Sequence, residues 1–346
     1  QHPPLRRQRQ MCIRDRPIIT RDPSDAADLS SKIEASGFDG LCTFEGPHEP
    51  FLPLAVAATN TKKINLITSI AIAFARNPML LANIGYDLQL LSKGRFIMGL
   101  GSQIKPHIEK RFSMPWSSPA NRMREMIQAI KSIWECWENG TQLNFKGEFY
   151  SHTLMTPLFN PGKHEYGLPS IYLAGVGPLM TSVAAEVADG LLVHPFHSVK
   201  SLQAITLPAV DKGLNKSKNK NFKISIGAMV AAADDQDELD QAINGLRMQL
   251  GFYGSTPAYK VVLEEHGWEN IHLELNKLSK KGAWDEMPKL INDEMLETIA
   301  IVGSINSAKD QIHERYSKIA ERVAPTFFNP NAEAPFNFIN VFNEGS

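Results

Sequence analysis

The sequence is poor in the features that mark secreted, membrane-spanning or nucleic-acid-binding chains. Only three cysteines occur in 346 residues, Cys12, Cys42 and Cys136. They form no CxxC and cannot all pair, which argues against a disulfide framework and a cysteine-rich metal site and points to a reducing cytoplasm. No apolar run approaches the roughly 18 residues that a membrane-crossing helix needs. Neither charge dominates: 36 Lys+Arg stand against 37 Asp+Glu, a formal −1, so the electrostatic footprint for nucleic acid or an anionic membrane is missing. The basic start, QHPPLRRQRQMCIRDR, has no apolar stretch of the signal-peptide kind. His194 and His197 stand close together, but no third ligand follows at a spacing such as HExxH, so no metal is expected. The first βα turn carries no G-x-G-x-x-G, which weakens a doubly wound dinucleotide fold.

What is present is a regular alternation of helix and strand signals on a chain 43% hydrophobic and 21% charged. DPSDAADLSSKIEASGFDGLCTFE reads as a capped helix, a Gly37 stop and a strand. Equivalent units follow, with strands near residues 39, 64, 95, 170, 190, 222 and 322 and helices between them. Only NFKGEFY breaks the pattern, as a short hairpin excursion turning at Lys146-Gly147. Strands separated by helices pair in parallel, and seven of them in this order predict an α/β fold, a (β/α)8 TIM-like barrel with one strand unaccounted for. MCIRDR resembles translated adapter sequence, so residues 1–16 are set apart as non-native, and the first strand is expected to be missing or mis-sequenced. The barrel domain is then expected over 17–330, with a helical insertion at about 234–301 before the last strand and a Pro/Asn-rich tail over 331–346.

In such a barrel the chemistry sits in the loops after each strand. The second strand is followed by Phe44-Glu45-Gly46-Pro47-His48-Glu49, a carboxylate and an imidazole in one tight loop. The third ends in small residues around Ser69-Ile70-Ala71, which permit close approach of a flat ring. The fourth leads into Gly99-Leu100-Gly101-Ser102-Gln103, able to offer backbone N–H groups and a hydroxyl. After the fifth, Gly175-Val176-Gly177-Pro178 opens a helix, which makes a phosphate cradle. The sixth ends at His194-Pro195-Phe196-His197.

The run from Gly37 through Phe196 resembles the luciferase-like flavin and deazaflavin oxidoreductase superfamily, with GFDGLCTFE, SIAIAFARNP, GRFIMGLGSQ, NFKGEFY, PSIYLAGVGP and VADGLLVHPF in the family's order. HEPFLPLAVAA, FSMPWSSPANRMREM and FYGSTPAYKVVLEEHGW are similar to its bacterial branch dependent on coenzyme F420, a 5-deazaflavin. The resemblance implies a TIM-like barrel with the cofactor ring at its C-terminal mouth. A non-proline cis peptide would support that ring at Ser69-Ile70, Gly99, Gly101, Ser102 and Gln103 would contact the cofactor, and Gly175, Val176 and Gly177 would receive its phosphate. Several deazaflavin enzymes carry a proton-donating Glu at the position of Gln103. Glutamine cannot donate in that way, so His48, Glu45 and His194 are the candidate acids, with His48 first because imidazole titrates near neutrality.

The function so implied is hydride transfer between F420 and a small organic substrate. An FMN-dependent monooxygenase fed by a reductase, and a non-catalytic binding barrel, are the alternatives. A homodimer is expected from the family.

Overall fold

The structure, a computed structural model, describes residues 13–219, 221–329 and 331–343. Cys12 and the rest of residues 1–12 lie outside them. Among the described residues eight strands, β1 (Ile13–Ile18), β2 (Gly40–Thr43), β3 (Asn65–Thr68), β4 (Phe96–Gly101), β5 (Ser170–Gly175), β6 (Gly190–Val193), β7 (Lys223–Ala232) and β8 (Arg322–Phe327), pair in parallel around a closed ring. The barrel forms because the strands are apolar on both faces: every residue of β2, β4 and β6 is buried, as in parallel strands sandwiched between an interior and a helical shell.

That shell comprises α1 (Ala26–Ala35), α2 (Phe51–Asn60), α3 (Pro78–Leu91), α4 (Pro119–Asn139), α5 (Pro178–Val187), α6 (Leu207–Leu214), α7 (Ile305–Tyr316) and α8 (Ala334–Asn343). The helices carry the expected stripes. In α4, Met123, Met126, Ile127, Ile130, Ile133, Trp134 and Trp137 are buried, and the helix stops at Gly140 in the left-handed region, φ 65°. The hairpin is present as Phe145–Lys146 against Ser151–His152.

Two expectations at the chain's ends are corrected. The first strand is not missing: β1 begins inside the segment set apart at 1–16 and pairs with both β8 and β2. Its polar sequence is accommodated by a partner far away in the chain. Asp15 Oδ2 and Oδ1 accept from Arg322 Nε and Nη2 at 2.8 and 2.5 Å, and Arg322 Nη1 donates to Asn65 Oδ1 at 2.9 Å. Both charged side chains are buried, so each offsets the other's desolvation. The expected tail is instead the eighth shell helix: α8 buries Phe336, Phe338, Ile339 and Phe342, with Phe336 edge-on to Phe38.

The insertion after β7 is helical, with Gln236–Gly254 and Glu269–Lys281 its longest helices. Residues from it, including Leu246, Leu250, Leu263 and Leu275, form a separate core that is rooted on the barrel by Phe196 and Met229. Its chain returns through Ile301–Gly303, which pairs with the end of β7. Among the described residues no helix is long and apolar enough to cross a membrane.

Candidate active site

At the carboxyl end of the barrel, β3 is broken by a bulge. Ile67 stands opposite Ile97, yet Ala71 stands opposite Leu100, so three residues on one strand face two on the other. Within it the Ser69–Ile70 peptide is cis. The loop after β2 stitches the bulge down: the Ser69 N–H donates to Thr43 O at 2.5 Å and the Glu45 N–H to Ile70 O at 3.0 Å. The Ile72 N–H donates to Glu45 Oε2 at 2.7 Å.

The same oxygen accepts from Arg76 Nη1 at 2.6 Å, while Arg76 Nη2 reaches Glu49 Oε1 at 2.6 Å. Burial alone would push the Arg76 guanidinium down; the two carboxylates outweigh it and hold it above its ordinary value. Glu45 Oε2 is thus committed to Ile72 and Arg76, and the side chain fastens the bulge. His48, three residues on, is exposed and has no hydrogen-bond partner among the described residues.

The loop after β4 divides the expected cofactor contacts. Gly99 has no amide to offer, because its N–H donates to Thr68 Oγ1 at 2.8 Å and that hydroxyl donates back to Gly99 O. A Cβ at residue 99 would lie 1.7 Å from Thr68 O, so its glycine serves strand packing. Gly101 gives room for Ile70, whose Cδ1 would sit 2.8 Å from an added Cβ. Ser102 Oγ donates to Gln103 O, and Gln103, in the left-handed region at φ 59°, turns its Oε1 back to the Ile104 N–H. Ile70 and Ala174 both pack on the barrel-interior cluster of Cys42, Ile67, Ile97, Tyr172 and Leu192, which floors the mouth.

Beyond β5, Gly177 is the N-cap of α5, and a side chain there would meet nothing within 4 Å. Thr181, one turn into the helix, is buried with Oγ1 unpartnered, and that oxygen lies 2.9 Å from where a Cβ on Gly175 would be. Unclaimed N–H groups at a helix start and a spare hydroxyl are the donor set that a phosphate takes.

The two imidazoles after β6 line one cleft but differ in burial. His197 is buried: its Nδ1 donates to His194 O at 2.9 Å and its Nε2 accepts from Tyr316 OH at 3.1 Å. Burial, the leading cause, pushes it down to about 4. His194 and His197 line a small cleft together with Gly175, Val176 and Phe196, and Val261 and Val262 of the insertion line it too. Burial first, then His197, push His194 down to about 3, which favours the neutral ring. Tyr253 and Tyr259, which flank His194, escaped the sequence reading. Their segment, FYGSTPAY, stands out in the sequence, but its contact with β6 is tertiary.

Against known proteins, the family model described as luciferase-like monooxygenase matches residues 7–322. An uncharacterized protein of Mycobacterium tuberculosis is 49% identical over 310 residues, 89% of this chain and 91% of that one. A putative coenzyme F420-dependent oxidoreductase of the same organism is 27% identical, over 84% of this chain and 87% of its own. Among solved structures, the coenzyme F420 dependent tetrahydromethanopterin reductase from Methanopyrus kandleri superposes with a TM-score of 0.76 at 20% identity, covering 94% of this chain and 96% of that one. That last likeness is one of fold.

Proposed function

The chain belongs to the luciferase-like monooxygenase family and is an enzyme of that class, and we propose that within it the protein transfers a hydride between coenzyme F420 and a small organic substrate. The observation that carries the cofactor site is the unpartnered Thr181 hydroxyl beside the glycine-led start of α5. The residues present fit a phosphate-bearing cofactor there, with the N–H groups of Gly177, Leu179 and Met180 as its hold, Pro178 having none. The name of the F420-dependent relative favours the deazaflavin over FMN.

When bound, a deazaflavin supplies hydride chemistry, since carbon replaces the flavin nitrogen that supports oxygen chemistry. The protein's part is to orient and to move a proton. The stitched bulge at Ser69–Ile70 and the loop at Gly101–Gln103 form the wall for a flat ring, and His48, on the loop that fastens the bulge, is the proton carrier. Glu45, held by Ile72 and Arg76, and His194, held at Nδ1 by the Phe196 N–H, take other parts in this reading.

Titration of the purified protein with F420 and with FMN tests this reading. Micromolar binding of F420 and none of FMN is the expected result. The reverse preference would make the protein a flavin monooxygenase supplied by a reductase, and binding of neither would overturn the cofactor site.

A further inference from the structure

We propose that His194 is a fixed, neutral hydrogen-bond donor that presents Nε2–H to an oxygen of the substrate, and that Tyr253 and Tyr259 of the insertion hold it in that pose. The proposal rests on the barrel mouth being the reaction site, but its first test does not.

Three independent contacts set the ring. The Phe196 N–H donates to His194 Nδ1 at 3.1 Å. A nitrogen that accepts carries no proton, so the ring's one proton is on Nε2, and an imidazolium would set a second N–H against the first. Tyr259 stacks on one face with centroids 4.4 Å apart at 21°, and Tyr253 meets the ring edge-on at 4.6 Å and 79°. These fix the plane. The backbone beneath is held from the shell, since His194 O accepts from His197 Nδ1 and His197 Nε2 accepts from Tyr316 OH on α7.

The titratable groups packed around His194 are Tyr253, Tyr259 and His197. Burial raises both tyrosines, which keeps them neutral phenols. Among the described residues no carboxylate forms an ion pair with the imidazole. Meanwhile Nε2 meets no partner among the described residues, and the side chain lines the same cleft as Gly175 and Val176. A neutral N–H donor on a rigid aromatic mount selects for an acceptor oxygen. A carbonyl or hydroxyl compound satisfies it, whereas a hydrocarbon of the same shape leaves it unpaired.

The full-length protein, labelled with 15N in its histidine rings, gives the test. The resonance lost in His194→Gln should show the Nε2–H tautomer and stay unprotonated from pH 8 to pH 5. Cyclohexanone should shift it saturably, and methylenecyclohexane, its hydrocarbon analogue, should not. His194→Gln, which keeps an N–H donor, should hold ketone affinity within about threefold, whereas His194→Leu should weaken it about tenfold or more. Titration of the ring between pH 5 and pH 8, an Nδ1–H tautomer, an equal response to both probes or a response to neither overturns the proposal. F420 binding is read separately. Its loss with the His194 results intact would sink the cofactor assignment alone.

Discussion

Arg76 Nη1 and Glu45 Oε2 lie 2.6 Å apart, and the oxygen they share with the Ile72 N–H belongs to a side chain only 7% exposed. The pair therefore does more than join two loops: it neutralises a carboxylate that the bulge draws out of water. Replacing Arg76 by Met leaves that carboxylate buried without a countercharge, with the Ile72 N–H still donating to it, at a cost of about 3 kcal/mol. Urea unfolding should register the loss, and Glu45→Gln added to Arg76→Met should recover part of it. An unchanged midpoint in the single variant would mean that the pair is solvated and idle.

Two glycines should fail in opposite ways. Gly99→Ala sets a Cβ 1.7 Å from Thr68 O, so β3 and β4 must separate, and the protein should be destabilised by roughly 2 kcal/mol or more. Gly177→Val adds its side chain where nothing lies within 4 Å. Its melting temperature should stay near that of the parent while F420 affinity falls tenfold or more. Parental affinity in Gly177→Val would place the phosphate elsewhere.

His48→Ala should slow single-turnover hydride transfer by about 100-fold or more, the usual share of a positioned acid or base, with cofactor affinity held within about twofold. His48→Gln should not rescue it. Rapid-quench or stopped-flow rates equal to the parent's in both variants would make His48 a surface residue of no chemical consequence.

The buried imidazole of His197 makes stability depend on pH. Burial lowers its folded value from 6.5 to about 4, so below pH 6.5 the unfolded chain takes up a proton that the folded chain refuses. The stability is fully present above pH 6.5 and drains away as the pH falls towards 4, by roughly 3 kcal/mol from this one group. Unfolding free energies measured from pH 7 to pH 4 should fall less steeply in His197→Phe than in the parent. Parallel slopes would show that His197 accepts its proton in the native state.

The barrel was legible because its strands and helices keep their periods and are punctuated by Gly37, Gly94 and Gly140. The positions of the candidate loops followed as well, since the ends of parallel strands are where loops converge. What escaped depended on partners distant in sequence. Ile13–Ile18 lies largely in the stretch set apart for its likeness to adapter sequence, and as a strand it depends on Arg322 for the countercharge to Asp15. The stripe Phe336, Ile339, Phe342 lies in a stretch rich in Pro and Asn, and its helix is stabilised by burial rather than by propensity. Glu45 and His194 carry the right chemistry for acids, but what surrounds them is an arginine after β3, a backbone N–H after β6 and two tyrosines in the insertion. None of these is implied by spacing.

The ion pair between Asp15 and Arg322 spans 307 residues of sequence and lies on the seam where β1 meets β8. During synthesis β1 can pair with β2 early, but its other edge has no native neighbour until β8 has left the ribosome. Until then a strand edge stays open and a buried carboxylate lacks its cation. Ring closure is thus a late, long-range event, the kind that loop entropy slows. In the interval the nascent chain exposes a template for pairing with other chains.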